Sequence, residues 1–320
     1  MSRRTSLAHY TRKGLDRLTD GVLTALVTRD PAYAAIAPRT RYTENGQELA
    51  IGDGLWGSAD RLGSYRHHFG DMTAGSAVTF TSIVEGGVRS LLVIRIKAKD
   101  GVLLEIETLV ARPDPMGGKT PFPKGPELLD KSIKPDKSWN DAIMPSKRHG
   151  RGELRRIANM YFEGLQNNDG KGEYPFAGDC IRIENGSRTT AVPDAKRKAG
   201  AKRDPETPYL PDFRAMSARE QFETGFFRFV TRIRERRFVV TDEELGVVVA
   251  LAFFDHNGTV RDYQLADGTP VKANLKTPFS WQIAEAFRIE DGQFTRIEAV
   301  MTACPYGMKS GWPLATGDIA

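Results

Sequence analysis

The chain has 320 residues, 40% hydrophobic and 27% charged, with a formal net charge of +5. That length suits two domains of about 150 residues each, and the composition is ordinary for a globular protein. It excludes a strongly basic nucleic-acid binder and a disulfide scaffold, the latter because Cys180 and Cys304 are the only cysteines. No run approaches the roughly 20 apolar residues of a membrane span.

The N-terminal MSRRTSLAHYTRKG is basic but has no apolar core, so it does not read as a secretory signal, and a cytoplasmic location is expected. Leu15, Leu18, Val22 and Leu26 then recur at helical spacing, up to a stop at Arg29-Asp30-Pro31. RYTENGQELAI reads as two short strands around an Asn45-Gly46 turn. Ser58 caps a predicted short helix with Leu62, Tyr65 and Phe69 on one face. Three strand-like runs follow, SAVTFTSIVE, VRSLLVIRIKA and VLLEIETLVAR. They are joined by the hairpin-type turns EGG and KDG, so an antiparallel sheet is expected.

The same order then returns. Leu154, Ile157, Tyr161, Phe162 and Leu165 mark an amphipathic helix, and DCIRIENG a first strand. Ser217 and Glu220 make a capping box for a helix carrying Phe222, Phe226, Phe229 and Val230. RRFVVTDE, GVVVALAFFD, FSWQIAEAFRIE and QFTRIEAVM complete a second meander. The repeat of Glu44-Asn45-Gly46 as Glu184-Asn185-Gly186 is therefore part of an internal duplication. The expected domains are 1–148, including a Pro- and Lys-rich linker, and 149–320. Segments 191–213 and 259–278 are insertions in the second.

Helices followed by a strongly curved antiparallel sheet resemble the nuclear transport factor 2-like fold, also called SnoaL-like or ketosteroid isomerase-like. The resemblance covers nearly the whole chain as two tandem α+β cones. RYTENG, GDGLWGSA, YFEGLQNNDG, PFAGDCIRIENG, RERRFVVTDEELGVVVALAFFDHNG and PYGMKSGW resemble, more narrowly, a double-domain family of uncharacterised function found in fungi and bacteria. The fold hosts isomerases, hydrolases, dehydratases, lyases and plain binding modules, so the resemblance implies where a site lies, an apolar cavity inside the cone, and not what it does.

FSWQIAEAFRIE is the most informative strand. Phe279, Trp281, Ile283, Phe287 and Ile289 alternate onto one face, and Glu285 falls among them. A carboxyl buried there is expected to hold its proton more tightly than usual and to serve as acid or base. The alternative is an ion pair with Arg182, Arg228 or Arg236. Arg182 shares a strand face with Glu184, and Tyr42 takes the place of Arg182 in the first copy. Tyr306, Arg182 and His256 are candidates to polarise a substrate oxygen. Tyr42, Trp56, Tyr65, His68, Glu184, Asn185, Trp281 and Trp312 are candidates to contact a ligand, with Tyr306 and Trp312 closing the cone mouth. His67 and His68 lie on the predicted short helix. Asp255 and His256, adjacent on a strand, face opposite sides.

GDGLWG lacks the parallel βαβ setting of a dinucleotide fingerprint and puts bulky Trp56 where close backbone approach is needed. No metal-ligand motif and no cofactor are read. The basic run KRKAGAKR, 196–203, has no interleaved aromatics, so nucleic acid is not the expected partner. The reading is a cofactor-independent lyase, dehydratase or isomerase. It would move protons on a bulky hydrophobic, aromatic or polycyclic small molecule. The alternative is a non-catalytic binding or assembly module, and homo-oligomerisation stays open.

Overall fold

One stripe of the first helix, Leu15, Thr19, Val22, Leu23 and Leu26, is buried, as its spacing requires. In the computed structural model, which describes residues 10–113, 122, 124–132, 134–192, 213–272 and 275–320, this helix is α1 (Arg12–Thr28). It is followed by β1 (Ile36–Glu44), β2 (Gln47–Leu49), the one-turn α2 (Leu55–Ser58), β3 (Ala59–Asp71), β4 (Ser76–Glu85), β5 (Val88–Lys99) and β6 (Val102–Ala111). A linker helix α3 (Gly125–Lys131) leads to the second half. That half contains α4 (Arg151–Gln166), β7 (Phe176–Glu184), β8 (Ser187–Arg188), α5 (Ala218–Glu223), β9 (Arg232–Asp242) and β10 (Val247–His256). It ends with the hairpin β11 (Asp262–Gln264) and β12 (Pro270–Lys272), then β13 (Phe279–Glu290) and β14 (Gln293–Cys304). The protein is α+β, with two curved six-stranded sheets ordered β2-β1-β6-β5-β4-β3 and β8-β7-β14-β13-β10-β9. This repeated order is the one that the nuclear transport factor 2-like resemblance implies. No helix among the described residues is long and apolar enough to cross a membrane.

Three expectations need correction. The sheets are mixed, because β1 pairs with β6, and β7 with β14, in parallel. Hairpin turns fix only strands that follow one another, and the first strand of each half reaches its partner after a long excursion. The segment holding Leu62, Tyr65 and Phe69 is strand β3, not a helix. A register shift between Leu62 and Arg66 turns Leu62 into the first half's core, while Tyr65 and Phe69 face the other sheet. The helix opened by the Ser217–Glu220 capping box is present but stops at Glu223. Gly225, at φ 71°, turns the chain into the 3-10 turn Phe226–Phe229. Of the insertions, 259–278 contains the β11–β12 hairpin, whereas most of 191–213, with the basic run 196–203, lies outside the described residues.

Each sheet covers its own helices with one face, and the two opposite faces pack on each other. Val78, Phe80, Leu91, Val93 and Leu109 meet Val249, Leu251, Ala284, Ala286 and Val300 in one apolar layer. The charged contacts across this layer are reciprocal. Glu107 pairs with Thr43 and Arg95 on its own sheet, as Glu298 pairs with Ile183 and Ala286 on the other, so the two glutamates are equivalent. Glu107 accepts from Arg237 of the second half at 2.5 and 3.1 Å and from Arg95 at 2.7 Å. Glu298 meets Nδ1 of His67, the position equivalent to Arg237, at 2.6 Å and accepts from Tyr65 at 3.0 Å. Likewise Arg151, which opens α4, binds Asp71 at 2.6 and 3.1 Å, while Arg12, which opens α1, binds the equivalent Asp242. The halves are related by an approximate two-fold rotation.

Glu107 is fully buried, and the two arginines hold its carboxyl below the usual range despite the burial that opposes them. Replacing Glu107 with Ala strands Arg95 and Arg237 without their shared anion. The expected loss is about 3–5 kcal/mol, read as a lower denaturation midpoint at pH 7.

Candidate functional site

Inside the second cone lies a cavity of about 420 Å³, the size of a typical small-molecule site. Aromatic rings dominate its wall: Phe213, Phe226, Phe227, Phe229, Phe254 and Trp281. Its polar wall includes Tyr161 from α4 and Arg182 and Glu184 from β7, with Ser187, Thr189 and Arg214 beside them. Leu128 of the linker helix α3 completes the wall.

Arg182 is 2% exposed and donates to Glu184 at 2.7 Å and to Gln221 at 3.0 Å. Its guanidinium lies 5.7–5.9 Å from the ring centres of Tyr161, Phe222 and Phe227. Its Nε is buried with no acceptor. Glu285 lies next to Ile283 on the inward face of β13, deeper than the lining residues and with no exposed surface. Tyr161 and Arg182 act on it electrostatically, yet neither carboxyl oxygen completes a hydrogen bond of ordinary geometry. Burial pushes its pKa up to about 8, against the opposing pull of the Arg182 charge and the Tyr161 hydroxyl. Burial also raises the Tyr161 phenol well above its usual value. Glu285 is therefore mainly protonated at neutral pH, while Glu184 is ion-paired at the cavity wall.

The first half replaces Tyr161, Arg182 and Glu285 and keeps Glu184 as Glu44. Glu285 pairs with Ala299 and Ala299 with Glu184; correspondingly, Ile94 pairs with Thr108 and Thr108 with Glu44. Ile94 therefore stands where Glu285 does. Tyr42 stands for Arg182. Val22, the eleventh residue of α1, stands for Tyr161, the eleventh of α4. Val22, Tyr42 and Ile94 all belong to the first half's apolar core, as does Trp56, which packs edge-on to Tyr42. Glu44 is fully engaged, accepting from Leu55 N–H, Tyr42 and Arg112.

The structure brings Arg182, Glu184, Glu285 and Trp281 together, sets His256 at the edge of the same cavity and disperses the other candidates. Tyr306 is exposed at 46% beside Arg232, away from the cavity wall. Trp312 packs on the first half, donating to Thr43 at 3.0 Å with Arg41 and Arg95 over its ring. The tail thus closes on the other sheet and not over the cone mouth. Tyr65 serves the contact between halves, and His68 faces Thr79 and Asp20. Asn185, at φ 44°, clamps both main-chain groups of Met301, as Asn45 does for Val110, so the amide serves the turn. Asp255 and His256 do face opposite sides. Asp255 holds Arg232, Arg234 and Ser280. His256 stacks on Phe279 at 4.6 Å and touches Phe229 and Trp281, with both ring nitrogens unpartnered and burial lowering its pKa to about 4. It is a neutral ring at the cavity's aromatic edge. Both thiols are buried and pushed up, Cys180 to about 12 and Cys304 to about 11, which disfavours a thiolate nucleophile. Sequence reasoning missed Tyr161, whose helical spacing reads as plain core.

Residues 147–301 match the family described as a domain of unknown function (DUF8021), a span just under half of the chain that contains the whole polar set. A comparison with curated proteins found no match. Among solved structures, the chain is similar to a candidate ketosteroid isomerase from Kribbella flavida DSM 17836 (15% identity, 42% of this chain and 92% of that one, TM-score 0.27). It is also similar to a candidate isomerase from Rhodopseudomonas palustris (15%, 32% and 91%, TM-score 0.26). A third similar structure is an epoxide hydrolase of the LEH-like type from M. tuberculosis (15%, 31% and 84%, TM-score 0.22). At these scores the likeness carries no argument about chemistry; the fold rests on the strand order above.

The raised Glu285 value has a measurable signature. The folded state keeps a proton that the unfolded chain releases near 4.5, so the associated stability is complete below about 4.5 and is lost as pH rises through about 8. Across that window wild type should lose up to about 1.4 kcal/mol per pH unit relative to Glu285→Gln, levelling off above the folded value. Parallel denaturant titrations at several pH values check this.

Proposed function

We propose that the second cone binds a bulky hydrophobic small molecule bearing a carbonyl or hydroxyl oxygen and moves protons on it. The supporting observation is Glu285: a carboxyl with no exposed surface and no completed hydrogen bond, at a position where the first half has Ile94. A buried unsatisfied carboxyl costs free energy, and the first half shows that the fold does not need it.

The cavity's volume and aromatic wall suit a polycyclic or substituted aromatic body. Tyr161 and Arg182 can direct O–H and N–H groups at a substrate oxygen as it gains negative charge. In this reading Glu184, on the cavity wall, takes a proton from carbon. Glu285 gives a proton through the Tyr161 hydroxyl, and the proton held by Glu184 returns to Glu285 as product leaves, so that isomerisation or elimination proceeds with no net proton lost to solvent. An acid that keeps its proton at neutral pH beside an ion-paired carboxylate is what such chemistry requires. A binding module without turnover is the second reading, favoured by the partners Arg182 already has in Glu184 and Gln221. We also propose the division of the chain into domains near residue 148.

Wild type and Glu285→Gln should be screened in parallel, by thermal shift and NMR, against aromatic and polycyclic ketones, diols and epoxides. Turnover by wild type that disappears above about pH 8, with the same ligands bound but unchanged by Glu285→Gln, is the expected outcome. Tyr161→Phe should lower kcat about 100-fold while KM changes little. Equal turnover by wild type and Glu285→Gln would remove Glu285 from the chemistry, and binding without turnover would favour the module.

A further inference from the structure

A second cavity, of about 250 Å³, lies between the two halves under the C-terminal tail. Ser76, Arg95, Lys97 and Glu105 enter from the first sheet, Arg155 from α4, Arg237 from β9, and Trp312 to Ala315 with Asp318 from the tail. Its cations differ in how they are compensated. Glu105 and Glu107 hold Arg95, and Glu107 also holds Arg237. Asp318 spends its oxygens on the main-chain N–H groups of Phe238 and Ala315. Lys97 and Arg155 have no carboxylate within ion-pair distance among the described residues. The Arg155 guanidinium is held only by the Thr241 hydroxyl and the carbonyls of Phe238 and Thr316.

Lys97 and Arg155 face one space without a carboxylate at ion-pair distance, and the group that can serve both is a compact one with several acceptor oxygens and negative charge. Arginine forks suit a tetrahedral oxyanion in particular. We propose that this cavity is a phosphate site, for inorganic phosphate or the phosphate of a small monoester, and that its occupant ties the tail to both halves. The site is separate from the aromatic cavity and does not depend on the chemistry proposed there.

The test titrates full-length protein with inorganic phosphate, glycerol phosphate and acetate by calorimetry at constant ionic strength, for wild type, Lys97→Glu and Arg155→Gln. Lys97 is exposed and has no ion-pair partner, so Lys97→Glu is expected to fold normally. The expected result is saturable 1:1 phosphate binding, weakened at least tenfold in each variant, with acetate at least tenfold weaker in wild type. Stronger binding of glycerol phosphate would identify a monoester as the ligand, and equal or weaker binding would identify the free ion. No saturable phosphate binding, or binding unchanged by Lys97→Glu, would overturn the proposal. Acetate binding as tightly as phosphate would also overturn it.

Discussion

Four carboxylates crossing between the halves hold the arrangement on which everything else rests. The apolar layer between the sheets is built of valine, leucine, alanine and phenylalanine, and such packing is favourable but non-directional. Glu107 on Arg237, Glu298 on His67 and Tyr65, Asp71 on Arg151 and Asp242 on Arg12 convert it into a single orientation. Each joins one half to the other, and those at the centre are buried. A slipped or rotated packing would bury the same aliphatic surface but leave charges without partners, a penalty of several kcal/mol for each. The curvature of each cone, and therefore the cavity inside it, is built against this fixed back.

Given that scaffold, the contrast between the halves becomes informative. Both bury α-helical side chains in the hollow of a curved sheet. The first fills the hollow with Val22, Tyr42, Trp56 and Ile94, and its one central carboxylate, Glu44, is fully hydrogen-bonded. The second keeps Tyr161, Arg182 and Glu285 in the corresponding places and retains space beside them. Burial sets the behaviour of that group: it disfavours charge on Glu285 and raises the phenol.

Much of this was legible in the sequence, for definite physical reasons. Period-two alternation places Glu285 with Ile283 and Phe287 whatever the tertiary context, so its inward direction followed from the strand alone. The paired ENG turns, the capping box at Ser217 and the hairpins were equally local. What failed was non-local. Leu62, Tyr65 and Phe69 satisfy a helical spacing, and only the pairing of β3 with β4 across a register shift decides for strand. The parallel partners of β1 and β7 lie far along the chain. Tyr306 and Trp312 sit in a tail without periodicity, whose position depends on Thr43, Arg41 and Arg95 at the other end of the sequence. Tyr161 was hidden by its surroundings, since an aromatic residue on a buried helical stripe gives the same signal whether or not its hydroxyl meets a cavity.

The approximate two-fold relation between the halves, carried on one chain, has a consequence for how the protein can change. In a symmetric homodimer every substitution is made twice, and a contact across the axis must suit two identical surfaces at once. Here the axis remains but the identity does not. One glutamate meets an arginine while its counterpart meets a histidine and a tyrosine. One hollow is packed while the other holds a carboxyl that a symmetric pair would have had to bury twice. Covalent linkage also makes the pairing of halves unimolecular, so the contact persists at any dilution. The second half can therefore carry a destabilising, unsatisfied group on the stability margin supplied by the first.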